Sequence, residues 1–198
     1  MQALNTSDQV DFSRRYTLEE FWALPEREDG ATYDLIGGYL FMVPPPTSPH
    51  DRLDSRFTLA LAKFILDNNI DGEIHHPHAP IYREDGLTYF EPDMMYISGE
   101  LRKRLGADRT TADIVFEYTS KSTAVYDRTT KSDAYLLLDV RELWLVDRFE
   151  ATIEVRHAST HDGVPVWEAH KYSRGEHAKS RVLAGWEVSV DEIFKDLD

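Results

Sequence analysis

A chain of 198 residues with 41% hydrophobic and 12% aromatic side chains has enough apolar mass to bury one substantial core. Its net charge of −14, from 22 Lys and Arg against 36 Asp and Glu, excludes holding nucleic acid by global electrostatics, because that affinity comes from basic residues displacing counterions. There is no cysteine for a disulfide framework or thiolate zinc site, no run approaches a transmembrane helix, and MQALNTSDQVDFSRRY lacks a signal-peptide core. A single cytoplasmic domain over 1–198, without membrane association, is the expectation.

Residues 1–15 read as a loose tail. Thr17-Leu18-Glu19-Glu20 is a capping box that opens a short helix through Phe21 and Leu24, stopped near Pro25. Tyr33 to Ile36 and Tyr39 to Val43 flank Gly37-Gly38 as a hairpin. After the stiff Pro44-Pro45-Pro46, Ser48-Pro49-His50-Asp51 carries an N-cap, a proline at the first helical position and an acid three after the cap. The helix that follows is predicted to run to about Asn68, with Leu53, Phe57, Leu61, Phe64 and Ile65 on its buried stripe. Glu73 to Tyr82 and Thr88 to Ile97 read as extended, joined by a turn at Glu84-Asp85-Gly86. Glu91-Pro92-Asp93 interrupts the second of these, and proline there marks a bend or a sheet edge. Arg102-Lys103-Arg104 is the one concentrated basic patch. Glu142 to Asp147 reads as a buried strand. The runs around Ala151 to His157, Val164 to Tyr172 and Val182 to Val188 read as a peripheral sheet, and Ser189 caps a final helix.

The centre of the pattern is Ala112 to Tyr135. A carboxylate inside the apolar run Ile114-Val115-Phe116 is costly to keep charged unless a cation or donors meet it, so Glu117 needs a partner. Strand alternation puts Asp113, Val115, Glu117 and Thr119 on one face and Ile114, Phe116 and Tyr118 on the other. Asp127, Lys131 and Tyr135 then recur every fourth residue along one side of a helix. Asp93, among Phe90, Met94 and Met95, is a second acid in apolar surroundings.

One reading joins Asp93 and Glu117 into a Mg²⁺ or Mn²⁺ site with Lys131 beside it, suited to activating water and neutralising a phosphoryl group. The other pairs each acid with an arginine and leaves Lys131 solvated, and spacing alone favours it. His75, His76 and His78 lack a zinc pattern and read as structural. His50 reads as a capping or donating group in a first helical turn. Arg102 to Arg104 form either a solvated helix face or a grip on a phosphate backbone. Ser120 and Ser122 have no nucleophile-elbow context. Acid/base chemistry on a sugar fits poorly, since nothing fixes the separation a carboxylate pair needs.

Together, Tyr16-Thr-Leu-Glu-Glu-Phe21, Tyr33-Asp-Leu-Ile-Gly-Gly38, the proline run ending in Ser48-Pro49-His50, Pro92-Asp93, Asp113-Ile-Val-Phe-Glu117, Asp127-Arg128 with Lys131 and Tyr135, and Glu142-Leu-Trp-Leu-Val-Asp147 carry a resemblance. The sequence resembles the Uma-two family of restriction-endonuclease-like proteins, in the PD-(D/E)XK nuclease superfamily, over roughly 16–157. The resemblance implies an α/β fold with a restriction-endonuclease-like core: a mixed central β-sheet flanked by helices, with additional peripheral β-strands. It implies Mg²⁺- or Mn²⁺-dependent hydrolysis of DNA, with Asp93 and Glu117 as metal ligands, Asp34 completing the site and Lys131 supplying the charge. Arg102, Lys103, Arg104, Lys121, His50 and Tyr135 become candidate substrate contacts. A homodimer would suit cutting of two strands. Thr119 stands where the superfamily has its lysine, Tyr39 where relatives have a second hairpin glutamate, and Lys121 where they have proline. Thr119, Tyr39 and the acidic charge sustain a second reading, a catalytically degenerate nuclease fold kept as a binding or assembly module.

Overall fold

The structure, a computed structural model, describes residues 10–45, 48–83, 87–119 and 123–197. In chain order the elements are α1 (Leu18–Trp22), β1 (Thr32–Ile36), β2 (Tyr39–Val43), α2 (Ser48–Asp67), β3 (Gly72–His75), β4 (Ile81–Arg83), β5 (Thr88–Phe90), β6 (Met94–Ser98), α3 (Gly99–Leu105) and β7 (Ile114–Thr119). Next come α4 (Ala124–Tyr126), a π-helical turn (Asp127–Lys131), α5 (Ser132–Leu137), β8 (Glu142–Asp147), β9 (Thr152–His161), β10 (Val164–Tyr172), β11 (His177–Lys179), β12 (Glu187–Ser189) and α6 (Val190–Ile193). By their contacts these form two compact units, one from Met1–Pro45 with Tyr82–Phe90, the other from Pro46–Ile81 with Glu91–Asp198.

In the first unit the expected capping box is present: Thr17 accepts from the Glu20 amide while the Glu20 carboxylate accepts from Thr17 N–H. β1 and β2 pair antiparallel from Thr32↔Val43 to Ile36↔Tyr39. Gly37 and Gly38 turn the hairpin with φ of 59° and 85°, values that cost an L side chain and that the right-handed strand twist favours in a two-residue turn. Tyr16, Leu18, Leu35 and Leu40 form a small core. The described part of the expected tail is anchored, because Arg15 donates to the Gly37 carbonyl at 3.0 and 2.7 Å and Arg14 pairs with Glu20 at 2.8 Å. A four-stranded sheet in the order β2-β1-β5-β4 completes the pattern.

The second unit is built on a six-stranded mixed sheet, β10-β9-β8-β7-β6-β3. Only β7 and β8 run parallel; the other neighbours are antiparallel. The alternation expected in β7 holds, since Ile114, Phe116 and Tyr118 belong to the main core with Leu53, Phe57 and Leu61 of α2. Phe57 meets Phe116 at 5.3 Å between ring centroids and Trp144 at 6.1 Å, edge on, while Trp144 meets Trp186 at 4.9 Å. Such aromatic contacts add to the burial energy of rings that are themselves fully enclosed.

Two expectations are corrected here. The runs Glu73 to Tyr82 and Thr88 to Ile97, read as extended throughout, are not each one strand. Each is divided: β3 and β6 pair in the large sheet, from Gly72↔Ser98 to His75↔Met95, while β4 and β5 belong to the four-stranded sheet. The Pro77 and Pro92 segments, which lack the donors a continuous ladder needs, are where the chain leaves one sheet for the other. Likewise β9 and β10 do not form a separate peripheral sheet; they extend the central sheet at one edge as a long hairpin turned at Asp162-Gly163. Of the Val182 to Val188 run only its end is strand, because Trp186 N–H donates back to Leu183 and Ser180 N–H to Trp186. β11 and β12 make a separate two-stranded sheet.

Gly72, at the start of β3, has no room for a side chain. A Cβ there would stand 2.5 Å from the ring of Tyr96, which is 1% exposed and packed in the core. Gly72→Ala is expected to destabilise the protein by about 1–3 kcal/mol through overpacking, read as a lower urea midpoint at unchanged slope.

Candidate active site

Asp93 immediately precedes β6, whose first residue pairs antiparallel as Met94↔Phe116. One step further along that register, Asp93 stands opposite Glu117. Its Oδ2 accepts the Tyr118 N–H at 2.6 Å, so the aspartate side chain takes over the ladder where the strand stops. Asp93 and Glu117 therefore share one end of a strand pair.

Glu117 is 3% exposed, and three groups from the crossover after β7 surround its carboxylate. The Lys131 ammonium, also 3% exposed, lies 2.9 Å from Oε1 and 3.0 Å from Oε2, and it reaches the Glu91 carbonyl at 3.3 Å. The Tyr135 hydroxyl donates to Oε1. Asp127 is buried close enough to act on the same carboxylate by its charge. Burial pushes the Glu117 carboxyl well above the usual range; Lys131 opposes this most strongly, Asp93 and Asp127 add to it, and Tyr135 lowers it. A buried ion pair is weak evidence of stabilisation, because desolvation offsets the Coulomb gain, whereas perturbed groups of this kind concentrate at functional sites.

Lys131 and Tyr135 do not come from one regular helix. The segment Asp127–Lys131 is a π-turn between two short α-helices, a form frequent at functional sites. It is braced from β9: Arg156 donates from Nη1 to the Arg128 carbonyl at 2.9 Å and to Ser132 Oγ at 2.7 Å. Arg128 in turn pairs with Glu154 at 2.5 Å and Asp147 at 3.3 Å. Arg156→Ala is expected to free the Arg128 carbonyl and loosen the turn that presents Lys131. Hydrogen exchange should accelerate over 127–132 while the far-UV spectrum stays that of the wild type.

On the other face of β7, Tyr118 points to α2. Its hydroxyl is 3.4 Å from Asp54 Oδ1, and His76 Nδ1 is 3.1 Å from both oxygens of Asp54. His50 stands near the start of α2, its Nδ1 3.9 Å from Asp93 Oδ1 and its ring edge on to Tyr118 at 6.1 Å. The structure thus brings Asp93, Glu117, Lys131, Tyr135 and His50 to one end of the sheet. Asp54, His76 and Asp127 join them, although the sequence reading gave them no role; an acid four residues before Lys131 was the available signal for Asp127.

The remaining candidates stand on other elements. Asp34 is buried on β1, in the first unit, with Phe41 opposite in register. Arg102, Lys103 and Arg104 are on α3, which begins where β6 ends, whereas Asp93 precedes that strand. The five residues of β6 put roughly 17 Å between the two ends at the usual strand rise. Arg102 is moreover paired with Glu73 at 2.7 Å and Asp71 at 2.9 Å, and Lys103 is 3.9 Å from Asp71. Lys121, Ser120 and Ser122 lie outside the described residues. His75, His76 and His78 each face a different acid, Glu73, Asp54 and Glu91 respectively. Thr119 sends its hydroxyl toward the Val146 carbonyl at 3.4 Å.

A family described as "Putative restriction endonuclease", Uma2, matches residues 18–191. The chain belongs to the Uma2 family. Among solved structures it is similar to one described as a putative nuclease belonging to DUF820 from Anabaena variabilis ATCC 29413, with a TM-score of 0.71 and 18% identity over 92% of this chain and 99% of that one. At that identity the likeness shows the shared fold, a mixed α/β nuclease-like architecture with extra strands and helices. No curated protein matches. For this Uma2 chain the restriction-endonuclease-like fold class is therefore established. No helix among its described residues is long and apolar enough to cross a membrane.

Whether the Uma2 site fits a divalent ion is a question of its donor set. Asp93, Glu117 and the Glu91 carbonyl are all oxygen donors, and Asp93 and Asp127 crowd negative charge around Glu117 with Lys131 as the opposing cation. Among the described residues no third His, Asp or Glu makes a complete three-ligand cluster with them. Oxygen donors are what hard divalent cations take.

Proposed function

We propose that this protein is a Mg²⁺- or Mn²⁺-dependent endodeoxyribonuclease that hydrolyses phosphodiester bonds. The observation that carries the reading is the buried Glu117 carboxylate facing Asp93, held by the Lys131 ammonium and the Tyr135 hydroxyl. Asp93 and Glu117 would hold the ion, which when bound supplies charge neutralisation and an activated water. Lys131 opposes the effect of burial on Glu117 and orients its carboxylate, and a second contact, to the Glu91 carbonyl, holds the ammonium in place to offset negative charge on the phosphoryl oxygens. Tyr135 locks the Glu117 rotamer. Thr119, engaged with β8, leaves the cationic role to the crossover.

The test uses the full chain and supercoiled plasmid with Mn²⁺. Asp93→Ala and Glu117→Ala should each reduce nicking by at least about a hundredfold. Undiminished activity in both variants would remove the pair from catalysis. Calorimetric titration with Mn²⁺ decides the competing reading as a binding module: a site that takes up no ion at millimolar concentration favours the module, and uptake lost in Glu117→Ala favours the enzyme.

A further inference from the structure

The chain carries a strong negative charge, and its concentrated basic patch sits at the far end of β6 with Arg102 already committed to Asp71 and Glu73. A nucleic acid at Asp93 and Glu117 has to be gripped by donors closer to hand. Asp54 and His76 form a pair there that the hydrolytic chemistry does not use. The imidazole Nδ1 is taken by Asp54, which leaves Nε2 as the ring's remaining polar atom, and the side chain is 40% exposed. A carboxylate behind the ring fixes its orientation; with Nδ1–H given to that carboxylate, Nε2 donates only from the doubly protonated ring, whose charge Asp54 balances.

The pair is connected to the site through a single residue. Tyr118 gives its backbone N–H to Asp93 and its hydroxyl to Asp54. The pair is therefore one residue removed from Asp93. We propose that His76, held by Asp54, donates from Nε2 to the backbone phosphate next to the scissile one. This subsite rests on the nuclease reading and adds a substrate contact to it. It is a binding and positioning contact, sequence-independent because phosphate is what it touches.

The experiment measures affinity of the full chain for a fluorescein-labelled DNA duplex, with Ca²⁺ replacing the catalytic ion, and Mn²⁺-dependent cleavage at saturating enzyme. His76→Ala should weaken binding about tenfold, the loss expected for one charge-assisted hydrogen bond, while the saturated cleavage rate stays within about twofold. His76→Lys should restore most of the affinity, and Asp54→Asn should weaken binding in the same direction. If His76→Ala does not fold, His76→Gln and His76→Lys carry the comparison, with weak binding expected only for the uncharged side chain. Wild-type affinity in His76→Ala or His76→Gln overturns the subsite and leaves the nuclease reading standing. A wild-type protein that neither binds nor cuts DNA overturns both.

Discussion

Lys131→Met is expected to cut Mn²⁺-dependent cleavage by about a hundredfold or more and to lower the unfolding free energy by about 3 kcal/mol. Both effects follow from one geometry. The ammonium lies within 3.0 Å of both Glu117 oxygens and both side chains are about 4% exposed, so its removal strands a carboxylate in a desolvated pocket beside Asp93 and Asp127. The double variant Glu117→Gln with Lys131→Met, which leaves no uncompensated charge, should recover most of the stability and none of the activity. A double-mutant cycle separates the two roles. The pH dependence has a definite sign. Burial already raises the Glu117 carboxyl, and without the opposing lysine it rises further, so the folded state holds its proton more tightly than the unfolded chain does. The deficit of Lys131→Met should be smallest in acid and grow as the pH climbs above the ordinary carboxylate range. Urea unfolding at pH 5 and pH 8 checks this; equal deficits would mean that Glu117 is not the group left behind.

Glu142→Leu is expected to cost about 3–5 kcal/mol, without acting on the chemistry. Glu142 is fully buried at the start of β8. Its oxygens accept from Trp144 Nε1 at 2.6 Å and from the Arg181 and Val182 amides at 2.8 and 3.2 Å, which tie the C-terminal segment to the sheet. His157 Nδ1 stands 3.1 Å from the same oxygen as those amides, without the alignment of a hydrogen bond. Leucine would leave an indole and two backbone N–H groups unpaired in the core. For a chain of this size the melting temperature should fall by roughly 6–15 °C. Glu142→Gln, which keeps an acceptor, should fall much less. A melting temperature for Glu142→Leu within about 2 °C of the wild type would rule out the proposed tie.

The contrast between these acids explains what was readable beforehand. Asp113, Glu117 and Glu142 all stand in or beside apolar strands, and composition gives no way to rank them. The structure separates them by partner. Asp113 accepts the Ser98 N–H and pairs with Arg141, and Glu142 is satisfied mainly by N–H donors, whereas Glu117 is met by an ammonium and a phenol. The face alternation of β7 was legible because a period of two is a local property of any strand. The fourfold spacing of Asp127, Lys131 and Tyr135 correctly marked one side of the crossover. The π-turn itself was not legible, because what holds it is Arg156, contributed by a strand that follows it in the chain. The position of the basic patch on α3 was hidden for a related reason: its proximity in sequence to Asp93 conceals the strand that lies between them. His76 looked inert among prolines, and only the fold shows that its aspartate partner comes from α2.

Glu117, on β7, lies within 18 residues of Lys131 and Tyr135, which ride on the excursion that the parallel β7–β8 pairing demands. The chain segment closed by the acid and the amine is short. Closure entropy rises only with the logarithm of length, so doubling such a segment would cost about 0.6 kcal/mol. Insertions between strand and π-turn are therefore thermodynamically cheap for relatives of this protein.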